Sequence, residues 1–145
     1  MRIIIQRVKN ASCTVDQKQI GTIEKGLLLL VGFTHSDTED VLNKAVKKVI
    51  NLRIFEDEQH KMNKNVVQID GAILSISQFT LYADVSEGNR PSFTQAMEAN
   101  QAKKLYLQFN TMLRNNGLTV AEGQFGEHME LHFINDGPVT ISLEF

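Results

Sequence analysis

Cysteine is nearly absent from this chain of 145 residues: Cys13 is the only one. An intrachain disulfide is therefore excluded, and so is a zinc site built on paired thiolates. Neither sign of charge dominates, with 15 Lys and Arg against 17 Asp and Glu and a formal charge of −2. So balanced a chain projects no long-range positive field. That counts against gripping duplex DNA through many phosphates and leaves recognition of one nucleotide or a strand end open. Long hydrophobic runs are missing too: Gly26 to Phe33 is strongly apolar but far shorter than a membrane span. Gln6, Arg7 and Lys9 break the apolar opening before it reads as a secretion signal. A cytoplasmic protein without a membrane partner is expected. There is no internal repeat, low-complexity run or linker, so residues 1–145 are read as one domain.

What is present alternates between strand and helix periods. Ile3, Ile4, Ile5 and Val8 predict a first strand; Ala11 to Val15 and Gln19 to Ile23 predict a pair of strands around Asp16-Gln17-Lys18. Leu27 to Val31 is apolar on both faces, as a buried central strand would be. Ser36-Asp37-Thr38-Glu39 has capping-box spacing ahead of a helix whose Leu42, Ala45, Val49 and Leu52 recur at helical intervals. Lys44, Lys47 and Lys48 then face outward, as a solvated face or as a guide for an RNA backbone. Leu52 to Phe55 predicts a short strand, Glu56 to Asp70 a loop, and Ala72 to about Gln78 a strand; Asp84 to Ser92, with Gly88 and Pro91, predicts a loop. A second helix carries the stripe Ala102, Leu105, Tyr106, Phe109, Met112 and Leu113, with Gly117 at its C-terminal end. The sum is an α/β, β-rich single domain: sheet layers with two helices on one face.

Two segments stand out. In Ser77-Gln78-Phe79-Thr80-Leu81-Tyr82-Ala83-Asp84, polar groups crowd the end of an apolar strand; either the strand stops near Ser77 or these groups line a hollow. In Asn135-Asp136-Gly137-Pro138-Val139-Thr140, a Gly-Pro turn separates two stretches of strict alternation, Met129, Leu131, Phe133 and Val139, Ile141, Leu143, Phe145. That pattern predicts a hairpin with a tip made mostly of backbone.

Together these segments resemble the two signature motifs of the D-aminoacyl-tRNA deacylases (D-tyrosyl-tRNA deacylases). Gln6-Arg7-Val8, Asn51 to Asp57, Lys61-Met62-Asn63, Arg90 to Phe93 and Gly123 to Gly126 fit the same family, so the resemblance spans the chain. It implies a deacylase-type fold and a homodimer that hydrolyses the ester of D-aminoacyl-tRNA at the acceptor 3′ end, yielding D-amino acid and free tRNA without a cofactor. It also implies that the Gly137-Pro138 peptide is cis and that the turn of one subunit completes the pocket of the other. Its carbonyls would exclude the side chain of an L-amino acid, making Gly137 and Pro138 the chirality filter. Arg7 is the candidate support of that filter, its alternative role being a surface charge at a strand end. A filter that rejects by clash accepts glycine, so glycyl-tRNA, as mischarged on tRNA(Ala), is an expected second substrate.

Candidate catalytic residues are Ser77, Gln78, Phe79 and Thr80. A threonine nucleophile needs a base, and neither a Ser/His/Asp arrangement nor a Gly-x-Ser-x-Gly elbow is visible. The expected chemistry therefore rests on backbone donors at Phe79 and Thr80, with the neighbouring ribose hydroxyl helping water. Phe125 and Met129 are candidates for an adenine pocket, or else core. His128-x-Glu130-x-His132 has side chains of metal-ligand type on one expected strand face, but it is read as a solvated polar face, with no metal assigned. The rival readings are a non-catalytic module that binds RNA ends or nucleotides, and an esterase for small activated esters.

Overall fold

The computed structural model describes residues 1–145. The elements run β1 (Arg2–Val15), β2 (Lys18–Ile23), β3 (Gly26–Gly32), α1 (Glu39–Asn51), β4 (Phe55–Glu56), β5 (Met62–Lys64), β6 (Ala72–Ser77), a single 3₁₀ turn (Phe79–Tyr82), α2 (Ala99–Asn115), β7 (Val120–Glu122) and β8 (Glu130–Glu144). β1 organises the sheet. Its first half pairs with β3, its second half with β2, and its other edge with β8 throughout. β3–β6 and β6–β7 are parallel, and α1 and α2 supply the crossovers that parallel neighbours require.

Both helices cover one face. Ile3, Ile5, Leu27, Leu29 and Ile73 meet Leu42, Val49, Tyr106 and Phe109 there in one buried cluster. A smaller cluster of Val8, Ala11, Cys13, Ile23, Leu28, Leu74 and Ile76 lies on the opposite face. β1 feeds both clusters because its register on β8 slips between Val8 and Ala11, so that Ala11 and Cys13 face with Val8 rather than with Ile3 and Ile5. The sheet then curls until β2 nears β7: a Cβ on Gly21 would sit 3.0 Å from the Glu122 carbonyl. The expected stack of sheet layers is thus one curled six-stranded sheet plus the small ribbon β4–β5.

Four local expectations need correction. The final hairpin does not form, because β8 is one continuous strand and both halves pair antiparallel with β1, Gln6 opposite Thr140 and Val8 opposite Asn135. The Gly-Pro segment is therefore an excursion from a long strand. Alternation alone cannot tell these apart, since two stretches on one line show the same period as two arms of a hairpin. The capping box also fails: Thr38 caps α1 without a side-chain bond. Asp37 turns away, accepting from the Met1 ammonium at 2.6 Å and from the Thr34 N–H at 2.8 Å. Leu52 to Ile54 is not strand, because Ile54 N–H folds back onto the Leu52 carbonyl. The stretch read as loop from Glu56 to Asp70 contains β5, whose ribbon closes over an Asp57 carboxylate that accepts from Gln59, Lys61 and Asn63.

The second helix is as expected. Glu98 caps it by accepting from the Asn100 and Gln101 N–H groups, and Gly117, at φ +84°, takes the left-handed position beyond its end.

Desolvation pushes the Tyr106 hydroxyl up to about 12, and desolvation, then the Asp37 carboxylate, does the same for Tyr82. These are the chain's two tyrosines. In the unfolded chain both ionise near ~10, so above that pH the unfolded state sheds protons that the fold retains. Stability is full below pH ~10 and falls as pH rises toward 12. Absorbance at 295 nm should stay flat through pH ~10 and rise only as the protein unfolds or its buried phenols ionise; a full two-tyrosine step near pH 10 in folded protein contradicts this.

Candidate active site

β6 ends at Ser77 and its last ladder bond is made one residue later, where the Gln78 N–H reaches the Val31 carbonyl at 2.7 Å. The chain then tightens into the 3₁₀ turn. Its first N–H groups, at Phe79 and Thr80, have no partner in the chain. Arg2 fixes the turn from behind: it donates to the Leu81 carbonyl at 2.9 Å and lies 4.6 Å from the Tyr82 ring centroid. Phe79 is more than half exposed and meets Phe93 edge-on at 4.9 Å.

Beside this turn opens a pocket of about 500 Å³. Ile76, Ser77, Gln78 and Phe79 form one wall; Met97 and Ala99, at the start of α2, and the segment from Phe125 to Met129 form the others. The two alternatives for Ser77 therefore hold together, since the strand stops there and its polar end lines a hollow. Phe125 and Met129 line the pocket while also packing against the two clusters. Phe125 is braced by Tyr106, centroids 5.9 Å apart, and Tyr106 donates to the Ser75 carbonyl at 2.7 Å. The space suits a flat, largely apolar ring with a polar edge.

Thr80 is exposed beside the pocket, and its hydroxyl accepts from the Gln78 side-chain amide. A carboxamide cannot take up the hydroxyl proton, so Thr80 has no base. Glu127 and His128 line the pocket, but neither side chain hydrogen-bonds to anything. Asp84, at the motif's end, holds the following loop in place. Its carboxylate accepts from the Ser86 N–H at 2.9 Å, a bond that keeps its pKa below the usual carboxylate value. His128 precedes β8, so the expected face of His128, Glu130 and His132 is not a single strand. No three His, Cys, Asp or Glu side chains converge as a metal site.

The second motif is built around Arg7, which is only 6% exposed. Its Nε donates to the Asp136 carbonyl at 3.1 Å and its Nη1 to the Ile54 carbonyl at 2.6 Å, with the Asp136 carboxylate 3.4 Å away. The alternative of a surface charge does not hold. Asn135 donates to Gln6 at 2.8 Å and accepts from the Val139 N–H, and Thr140 also donates to Gln6. Within this frame Gly137 and Pro138 project into solvent, joined by a cis peptide. Gly137 has φ +125°, and a Cβ there would lie 2.9 Å from Val139 and 3.0 Å from Arg7. Backbone conformation and space both require glycine.

The fold brings Ser77, Gln78, Phe79, Phe125 and Met129 together, and brings Arg7 to Gly137 and Pro138. It does not bring these groups to each other within one chain, because no residue of the turn lines the pocket. Sequence reasoning missed Met97, Gly126, Glu127 and His128 as walls, and Gln6 and Ile54 as braces. Met97 carried a signal: a lone apolar residue between a polar loop and a helix start must be buried against something.

A model of the family described as D-Tyr-tRNA(Tyr) deacylase matches residues 4–144. A protein named D-aminoacyl-tRNA deacylase from Exiguobacterium sp. (strain ATCC BAA-1283 / AT1b) is 52% identical over 144 residues, covering 99% of this chain and 98% of its own. A solved structure described as c-Myc DNA Unwinding Element Binding Protein is 43% identical, covers 100% of this chain and 99% of its own, and has a TM-score of 0.94. Another, described as a probable eukaryotic D-amino acid tRNA deacylase, has the same fold, with a TM-score of 0.85 at 19% identity over 98% of this chain and 97% of its own.

Removing the Arg7 guanidinium leaves two carbonyls without their charged donor. Arg7→Ala should cost roughly 3 kcal/mol in urea unfolding, and Arg7→Lys should recover less than half, because an ammonium lacks the fork that reaches both oxygens. Full stability in either variant would show that the clamp is dispensable.

Proposed function

We propose that this chain, which belongs to the D-Tyr-tRNA(Tyr) deacylase family, hydrolyses the ester between a D-amino acid and the terminal ribose of tRNA. The observation that carries this reading is the pair of unpartnered N–H groups at Phe79 and Thr80, poised at the rim of a pocket with apolar walls. The terminal adenine enters between Phe125 and Met129, with Gln78 and Ser77 on its polar side. The ester carbonyl then lies against the 3₁₀ turn, whose amides stabilise the oxyanion as water attacks. One such donor is worth ~3–4 kcal/mol of barrier. The ester is intrinsically labile and the adjacent ribose hydroxyl assists the water, so no protein nucleophile is required.

The chirality filter is Gly137-Pro138 supplied by a second copy of the chain. This follows from the separation of the two motifs in one chain and from the exposed, firmly braced position of the turn. A homodimer therefore forms the complete site. Main-chain carbonyls beside the substrate α-carbon clash with an L side chain and tolerate any D side chain. Glycine has nothing to clash, so glycyl-tRNA is cleaved as well. Balanced charge restricts contact to the acceptor end, and duplex DNA is not a partner in this reading.

Matched D- and L-tyrosyl-tRNA test the proposal: ester loss should be fast for D and near background for L, and equal rates defeat it. A glycyl ester should be lost at enzyme concentrations that clear the D-tyrosyl ester; an intact one removes the second substrate. Thr80→Ala should keep turnover within about threefold, since it deletes a hydroxyl and leaves the amide in place. Complete loss in a folded variant would make Thr80 the nucleophile.

A further inference from the structure

Away from the pocket, the outer face of α1 and the segment after it form a groove of about 570 Å³, lined by Lys44, Lys47, Lys48, Leu52, Arg53 and Phe145. No Asp or Glu side chain lines it. The chain's ion pairs engage Arg2, Arg7, His60, Lys64, Arg114 and the Met1 ammonium, so all four groove cations are unpaired. Arg53 bonds only to neutral groups, the carbonyl and side-chain oxygens of Asn63. Four of 15 basic residues thus converge on one concavity of a chain whose net charge is −2. Such local concentration without compensation stores electrostatic repulsion, which a line of phosphates relieves. Lys44, Lys47 and Lys48 are three and four residues apart on one helix face, a spacing that places their ammonium groups as neighbours along a track.

The position of the groove points to its occupant. Arg53 adjoins Ile54, whose carbonyl is held by the same guanidinium that holds Asp136 beside the Gly137-Pro138 turn. Groove and turn therefore share one side of the molecule. If the turn closes the pocket of a second copy, RNA leaving that pocket runs over the groove.

We propose that the α1 groove binds the phosphodiester backbone of the tRNA acceptor stem, adding affinity without entering the chemistry. This rests on the deacylase reading given above. The test compares wild type with Lys44→Gln/Lys47→Gln/Lys48→Gln on two substrates, D-tyrosyl-tRNA and the D-tyrosyl ester of adenosine. All three lysines are exposed, and a thermal melt checks that the variant is folded. On tRNA, KM should rise about tenfold with kcat unchanged, and the slope of log KM against log salt should fall by about 2–3. Kinetics on the adenosine ester should not change. An unaltered KM and salt slope on tRNA overturns the proposal, as does an equal loss on both substrates. Loss of binding to phosphatidylserine vesicles with tRNA kinetics intact also overturns it, in favour of a membrane surface. A wild-type enzyme that cleaves neither substrate defeats the deacylase reading instead. The groove is then judged by anisotropy with uncharged tRNA, where undiminished affinity in the triple variant overturns it.

Discussion

One buried guanidinium holds the second motif together. Arg7 sits just ahead of the point where β1 changes the face it presents, and a cation so deeply placed is tolerable only if its donors are used. Two are, on the carbonyls of Ile54 and Asp136, with the Asp136 carboxylate close by. The same contacts join three distant stretches: the middle of β1, the tight turn after α1 and the excursion in β8. Without them the Gly-Pro segment would be a loop free to move. With them it is a fixed protrusion, which a steric filter in the proposed dimer requires. Discrimination by clash fails whenever the clashing atoms can retreat.

The pocket rests on a different device. A parallel strand ends, and the chain tightens at once into a 3₁₀ turn whose first amides have no partner. Met97, Phe125 and Met129 screen one side of the space from water. A hydroxyl without a base and amides without acceptors are poorly suited to nucleophilic attack and well suited to stabilising negative charge on a bound ester. In this reading the reactivity resides in the substrate, and the protein contributes orientation, oxyanion donors and exclusion of the wrong enantiomer.

Much of the site was legible in the sequence because its elements are local. Ser77 to Thr80 stood out as polarity at the end of an apolar strand, and Gly137-Pro138 as a turn within strict alternation. Phe125 and Met129 lay in a segment rich in glycine and apolar residues, so their joint appearance in the pocket was open to inspection. Arg7 was legible as a brace through the resemblance, but its companions were not. Gln6 reaches Asn135 across 129 positions and Arg7 reaches Ile54 across 47, and nothing local marks an isoleucine carbonyl as an acceptor. The capping box failed for a similar reason: Asp37, held by the Met1 ammonium 36 residues away, stays outside the helix, which starts at Glu39 with Thr38 rather than Ser36 at its cap.

The sequence by itself determined the periods: which residues alternate, which recur on a helix face, and where the chain must turn. These depend on bonds and sterics between near neighbours, so they survive without knowledge of the fold. Tertiary structure decided direction and company. It made one strand of the stretches on either side of the Gly-Pro segment, because β1 is long enough to pair with both, and it curled the sheet so that two cores formed. It also left the turn and the pocket apart. A period specifies which way a side chain faces relative to its own backbone, whereas pairing partners are chosen by the free energy of the whole assembled surface.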